Sequence, residues 1–226
     1  MSTTLAGISS MATRLILAEL AQRYEAMTGV KAAIQSMGGV DAAKRVRAGE
    51  ATDIVILASK PMAELEAEGH IVAGSIQGFT RSGMAIAVRA GTAWPDIGDE
   101  AAVKRAVLAA DKVGYSTGPS GDHLLKLCER WGVDPGRLLK APPGVPVGSL
   151  VAQGEADLGF QQLSELIHVP GLEVVGPLPP EIQSVTVFAA GVASASQQAE
   201  QTRALIAYLA SPETAAVKRA QGMEPA

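Results

Sequence analysis

Short apolar runs alternate with stretches in which apolar residues recur every three or four positions, and the alternation continues along the whole chain. The first pattern predicts buried strands and the second predicts amphipathic helices. Residues 4–8 predict a strand and 11–27 a helix, with Leu15, Leu17, Leu20 and Tyr24 among its apolar positions. A strand at 30–35, a helix at 40–48, a strand at 53–57 and a helix at 61–68 follow, with Gly49 and Gly69 as helix stops. The run from Asp53 to Leu57 is apolar behind one acid, as expected for a strand covered on both faces. Further on, strands are predicted at 82–89, 113–115, 155–160 and 182–190. Helices are predicted at 99–110, after the Ser116–Gly121 segment as far as Gly132, before Gly154, from Gln161, at 199–209 and at 212–221. Strands alternating with helices predict a parallel, right-handed α/β sheet.

Several junctions between these elements carry small hydroxyl and glycine residues. Val113-Gly-Tyr115 runs into Ser116-Thr117-Gly-Pro-Ser120-Gly121 and then directly into a helix. Such a segment brings backbone N–H groups close to a ligand, and the helix start adds unpaired donors and the positive end of a dipole. Together they can cradle a small anion or a carboxylate. The device recurs at Ser9-Ser10 after the first strand and at Ser36-Met-Gly38-Gly39 after the second. It recurs again at Pro142-Pro-Gly144-Val-Pro-Val-Gly148 before a short helix. In open α/β sheets the ligand sits at the carboxyl ends of strands, so four such junctions predict one shared cleft.

Composition narrows the chemistry. The 226 residues are enough to bury a sizeable core as one large domain or two lobes. Aromatics make up only 4% of the chain, so Ala, Val, Leu and Ile carry that core. The net charge is -4 with no basic block, which gives nucleic-acid binding no electrostatic support. No apolar run approaches the ~20 residues of a membrane span, so membrane insertion is not expected. No secretory signal is read at the start, which predicts a cytoplasmic protein, or a periplasmic one from which a leader was removed. Cys128, the single cysteine, lies among Leu124, Leu125 and Leu127 and reads as a buried small hydrophobe rather than a catalytic thiol. His70, His123 and His168 are scattered. No metal signature, nucleophile elbow, dinucleotide fingerprint or phosphate loop appears, so no metal and no cofactor is expected.

Longer segments then carry a family resemblance. Arg45-Val-Arg-Ala-Gly-Glu-Ala-Thr-Asp-Ile-Val-Ile-Leu-Ala-Ser59 is similar to the helix, AGxxxD and apolar-strand run of molybdate-type bacterial solute-binding proteins. Leu150-Val-Ala-Gln-Gly-Glu-Ala-Asp-Leu-Gly-Phe160 resembles that family's GEA-x-LGI run. Phe188-Ala-Ala-Gly-Val192 resembles its last long strand, and the stretch from Tyr208 to Ala216 its YL-x-SPEAA ending. The resemblance covers nearly the whole chain. It implies an α/β, two-lobed, type II periplasmic-binding-protein-like fold with two crossovers. Lobe I is expected over residues 1–80 plus 186–226 and lobe II over 81–185. It also implies the membrane component of an ABC transporter as a partner.

In molybdate binders of this kind, small hydroxyls after strands one and two, amides at the third and fourth junctions and a Tyr after the LGI strand hold a tetrahedral oxyanion. Here the corresponding positions are Ser9 and Ser10, then Gly38 and Gly39 with Ser36 nearby, then Ser116, Thr117, Ser120 and Gly121, then Gly144. The Tyr position is Gln161 or Gln162. Arg81 and Ser82 lie beside the expected lobe crossing, and an arginine can grip a planar carboxylate with two parallel hydrogen bonds. The substituted Tyr and hydroxyl favour an organic acid over molybdate. Two functions stay open. One is a passive binder of a small anion or organic acid. The other is an isomerase of aconitate-like unsaturated acids, since small-acid isomerases similar to aconitate isomerase share this branch. That chemistry needs one base and no cofactor. His123 is the first candidate for the base, with Glu165 and Tyr115 behind it.

Overall fold

A computed structural model describes residues 3–142 and 144–226. Met1, Ser2 and Pro143 lie outside the described residues, Pro143 within the fourth junction. In chain order the elements are β1 (Thr4–Ser10), α1 (Arg14–Thr28), β2 (Lys31–Met37), α2 (Gly39–Arg47), β3 (Ile54–Ala58), α3 (Ser59–Ala67) and β4 (Gln77–Arg89). Then come α4 (Glu100–Ala109), β5 (Val113–Tyr115), α5 (Pro119–Trp131), β6 (Leu138–Lys140), α6 (Val147–Ala152), β7 (Leu158–Gln162), α7 (Leu163–Leu166) and β8 (Leu172–Pro177). The chain closes with β9 (Val185–Val192), α8 (Ala199–Ala210), α9 (Ala215–Ala220) and β10 (Glu224–Pro225).

These elements form two compact units. The first runs through Arg81 and resumes at Val187 to the end of the chain, and the second is Ser82–Thr186. The chain passes between units twice, inside β4 and inside β9.

In the first unit β1 pairs in parallel with β2 and with β3, and β3 pairs antiparallel with β9. Both faces of β3 are buried, which explains its unbroken apolar run. Ile54 and Ile56 pack with Leu5, Ile16, Leu17 and Leu20 from β1 and α1, while Val55 and Leu57 pack with Ala42, Val46, Met62 and Leu65 from α2 and α3. Each fully buried aliphatic side chain of this kind contributes about 1.5–3 kcal/mol. Lys218 of α9 is wholly buried in this unit, its Nζ 5.9 Å from the centre of the Phe79 ring.

In the second unit β7 pairs antiparallel with β4 and parallel with β5, and β5 pairs in parallel with β6. β8 lies antiparallel to β4. Met84, Ile86 and Val88 of β4 face a core with Val103, Val107, Leu124 and Leu127 of α4 and α5. Ala85 and Ala87 pack with Leu166 on the opposite face. Cys128 is buried, and that burial pushes its thiol up to about 11, so it acts as a core hydrophobe.

Three expectations change. The sheet is mixed rather than parallel, because β4 and β9 run antiparallel to their neighbours β7 and β3. The predicted strand at 155–160 sits instead at 158–162. Asp157 is held outside it, since its Oδ2 accepts from the N–H groups of Asp111 and Lys112. Gln161 and Gln162 therefore belong to a strand and not to a helix. Short strands β6, β8 and β10 were not legible, β8 because its side chains are half-buried without alternation.

Candidate anion-binding and proton-transfer site

In the first unit, β1 continues through Ser9 and Ser10, two residues beyond the predicted end. The parallel register places Ser9 opposite Ser36 and Ser10 opposite Met37. Their side chains meet: Ser9 Oγ lies 2.8 Å from Ser36 Oγ. Ser36 thus brings a hydroxyl to the junction at which Gly38 and Gly39 carry none. Ser10 Oγ is buried and has no hydrogen-bond partner among the described residues. Gly39 opens α2 beside it, close enough that an added Cβ would lie 3.9 Å from Ser10 Cβ. Among the described residues no side chain caps the turn that starts after Ser10 or the helix that starts after Gly38. The first N–H donors of both turns are therefore left to other partners.

The second unit offers a different set. β5 ends at Tyr115, and α5 begins after Gly118, whose φ of 110° suits glycine. No side chain caps α5 either, whereas Asp99 caps α4 by accepting from the Ala102 N–H. Gly121 packs against the preceding loop so closely that a Cβ there would lie 1.7 Å from the Ser116 carbonyl oxygen. Ser116 and Ser120 hydroxyls lie 3.4 Å apart. Thr117 is exposed, and Gly144 stands in an exposed turn with φ of 77°.

Both glutamines at the end of β7 are buried, and each is committed to a different partner. Gln162 Nε2 donates to Thr186 Oγ1 at 2.8 Å, while its Oε1 has no partner among the described residues. Ser82 and Ser164 also carry buried hydroxyls without a partner among the described residues. Buried polar atoms are normally paired, so these concentrate unused hydrogen-bonding capacity at this end of the unit. Gln161 Oε1 accepts the Val147 N–H at 3.0 Å, and its Nε2 donates to Glu165 Oε1 at 2.8 Å. Burial pushes the Glu165 carboxyl up to about 7, against the opposing pull of the Gln161 donor.

His123 is half-buried with Nε2 2.8 Å from the Ile182 carbonyl oxygen. A carbonyl only accepts, so Nε2 carries the proton and the neutral ring has Nδ1 as its acceptor. Arg81 is exposed, sits opposite Glu224 in the β4–β10 pairing and forms no ion pair among the described residues. A hollow of about 270 Å³ in the first unit is lined by Gly74, Ser75, Ile76, Gln77, Arg203 and Ile206, none of them a sequence candidate. Among the described residues no group of three His, Cys, Asp or Glu side chains could hold a metal, and no helix is long and apolar enough to cross a membrane.

Sequence reasoning missed three participants: Val147, Thr186 and the tie between Gln161 and Glu165. The last has a signal, because Gln161 and Glu165 are four residues apart, the spacing at which side chains meet on the helix predicted from Gln161.

Comparison with known proteins places the chain in a family. The bacterial extracellular solute-binding protein profile matches residues 5–224. The chain is 39% identical to an aconitate isomerase from a Pseudomonas species, over 99% of this chain and 88% of that protein. The periplasmic molybdate-binding protein of Azotobacter vinelandii superposes with a TM-score of 0.80 at 18% identity, covering 97% of this chain and 98% of that one. The sulfate-binding protein of Mycobacterium tuberculosis superposes with a TM-score of 0.78 at 15% identity, covering 99% and 87%. The fold is therefore the α/β fold of periplasmic binding proteins.

Proposed function

The chain belongs to the bacterial extracellular solute-binding protein family, and from that premise we propose that it binds an unsaturated polycarboxylic acid and isomerises it by a proton shift. The observation that carries this reading is the 39% identity to an aconitate isomerase along essentially the whole chain. The site chemistry supports it. Each unit presents hydroxyls and uncapped amides at strand ends, which suit carboxylate oxygens. The tyrosine that the resemblance implies for a tetrahedral oxyanion is replaced by glutamine, and a carboxyl with pKa near neutrality accepts from the Gln161 side chain.

The reaction is a 1,3-shift. A base removes a proton from the saturated carbon next to the double bond. The electron pair spreads into the adjacent unsaturated carboxylate, where N–H and O–H donors offset the developing charge. The base, its proton exchanged with solvent, returns a proton at the far carbon, and the double bond moves. Atoms and electrons balance without an external reductant or oxidant.

A passive small-anion binder, serving an ABC transporter, is the second reading, and family membership favours it. One experiment separates the two. The protein is incubated with cis- and trans-aconitate in deuterium oxide and followed by proton NMR. The isomerase reading expects interconversion with deuterium uptake at the allylic carbon. Stabilisation by the acid without exchange leaves the binder. Thermal-shift measurements against molybdate, tungstate and sulfate complete the comparison, since a ligand at a hundred times its Kd stabilises by ~2.7 kcal/mol.

A further inference from the structure

We propose that Glu165 is the proton-carrying carboxylate of this site and that Gln161 is the positioning residue that aims it, through a clamp anchored on the Val147 backbone N–H. The inference rests on the isomerase reading and goes further, by assigning the base and its support.

The clamp has one allowed orientation. Gln161 Oε1 takes the buried Val147 N–H, so Nε2 must face Glu165. Turning the amide over would set N–H against N–H at Val147 and oxygen against oxygen at Glu165. Glu165 Oε1 is thereby fixed as an acceptor, and Oε2 has no hydrogen bond among the described residues. That second oxygen is the one available to a ligand C–H bond.

The surroundings suit a carboxyl that exchanges its proton near neutral pH. α7 packs against β7, α6 and β8, and its Leu166 against Ala85 and Ala87 of β4, whose two ionisable side chains, Arg81 and Arg89, are exposed. Val147–Ala152 and Leu158–Gln162 contain no ionisable side chain. In Leu172–Pro177 the one such group, Glu173, is bonded to Trp94 Nε1 and the Gly91 N–H. His168, two residues beyond α7, is exposed. No cation therefore faces Glu165 from these elements to hold it ionised, and burial favours the protonated form.

The clamp also changes what the fourth junction can do. The resemblance implies a backbone amide there as an oxyanion donor. In this chain the Val147 N–H is spent on Gln161, which passes its support to a carboxylate. A carboxylate at that place repels a tetrahedral dianion, but it can accept a proton from carbon. In the proposed step Glu165 Oε2 forms the O–H bond as the allylic C–H breaks. The freed pair moves the double bond, and Glu165, after exchanging its proton with solvent, delivers a proton to the far carbon and ends as it began.

The test uses the whole protein with trans-aconitate. Wild type, Glu165→Gln and Gln161→Leu are compared for thermal shift and for deuterium uptake. Expected are retained binding in Glu165→Gln with exchange reduced at least a hundredfold. In Gln161→Leu, loss of the donor is expected to move the acidic limb of the kcat profile to higher pH. A merely structural residue would lower kcat without moving that limb. Exchange in Glu165→Gln within threefold of wild type overturns the assignment while leaving the isomerase reading intact. Absence of both interconversion and exchange in wild type overturns that reading, and this assignment with it. Should Glu165→Gln fail to fold, carbon-13 titration of the Glu165 carboxyl in wild type decides. A midpoint near 7 that climbs in Gln161→Leu supports the assignment, and a midpoint near 4.5 overturns it.

Discussion

Ser9 Oγ and Ser36 Oγ lie 2.8 Å apart although 27 positions separate them in the chain. Parallel pairing of β1 with β2 in that register sets them side by side, and a one-residue slip would turn Ser36 to the opposite face. The pair offers two hydroxyls that can swing together toward a carboxylate, each able to donate or accept. Ser36→Ala is expected to weaken trans-aconitate binding about tenfold, roughly 1.4 kcal/mol, with little loss of thermal stability. Isothermal titration calorimetry beside an unliganded melting curve checks it. Unchanged affinity would remove these hydroxyls from the site.

Gly121 is set by close approach. A Cβ there would meet the Ser116 backbone oxygen at 1.7 Å, so Gly121→Ala must displace either α5 or the loop before it. The expected cost is about 2–3 kcal/mol of folding stability, together with weakened ligand binding. Ser120→Ala, which removes a buried hydroxyl 3.4 Å from Ser116 Oγ, should cost clearly less. Urea unfolding of both variants gives the comparison.

Glu165 also makes stability depend on pH. Its carboxyl has a folded pKa near 7, above its ordinary value of 4.5. The folded state therefore holds the proton more tightly than the unfolded chain. The associated stability is complete below about pH 4.5 and is lost as pH rises through 7. Glu165→Gln keeps the size of the side chain and removes the titration. It is expected to be more stable than wild type at pH 8 by up to roughly 3 kcal/mol, with little difference at pH 4. Equal pH slopes for the two proteins would contradict this.

Lys218 shows the opposite sign. It is wholly buried, its Nζ has no hydrogen-bond partner among the described residues, and burial lowers its pKa from 10.5. The unfolded chain takes up this proton first, so stability present above pH 10.5 is lost as pH falls toward the folded pKa. Lys218→Met fills the same space without a charge. It is expected to stabilise the protein by about 1–2 kcal/mol at pH 7, with the gain shrinking near pH 10.5. Denaturant unfolding at the two pH values measures it.

What the sequence by itself determined was local order. The alternation of apolar runs with helical periodicity placed β5 at its observed residues and β3 within one residue of its observed ends. It also placed the hydroxyl- and glycine-rich junctions between strand and helix. These follow from neighbours within a turn or two of chain, where backbone propensity and side-chain period act. Tertiary structure decided the rest. Which way β4 and β9 run against their partners, and where β1 and β2 are in register, depend on pairings between residues far apart. The hydrogen bonds from Asp111 and Lys112 to Asp157 hold Asp157 outside β7, and Gln161 thereby reaches both Val147 and Glu165. A carboxyl becomes a group that titrates near neutrality only when packing has removed water and cations from it. That packing is assembled from segments whose meeting no local pattern encodes.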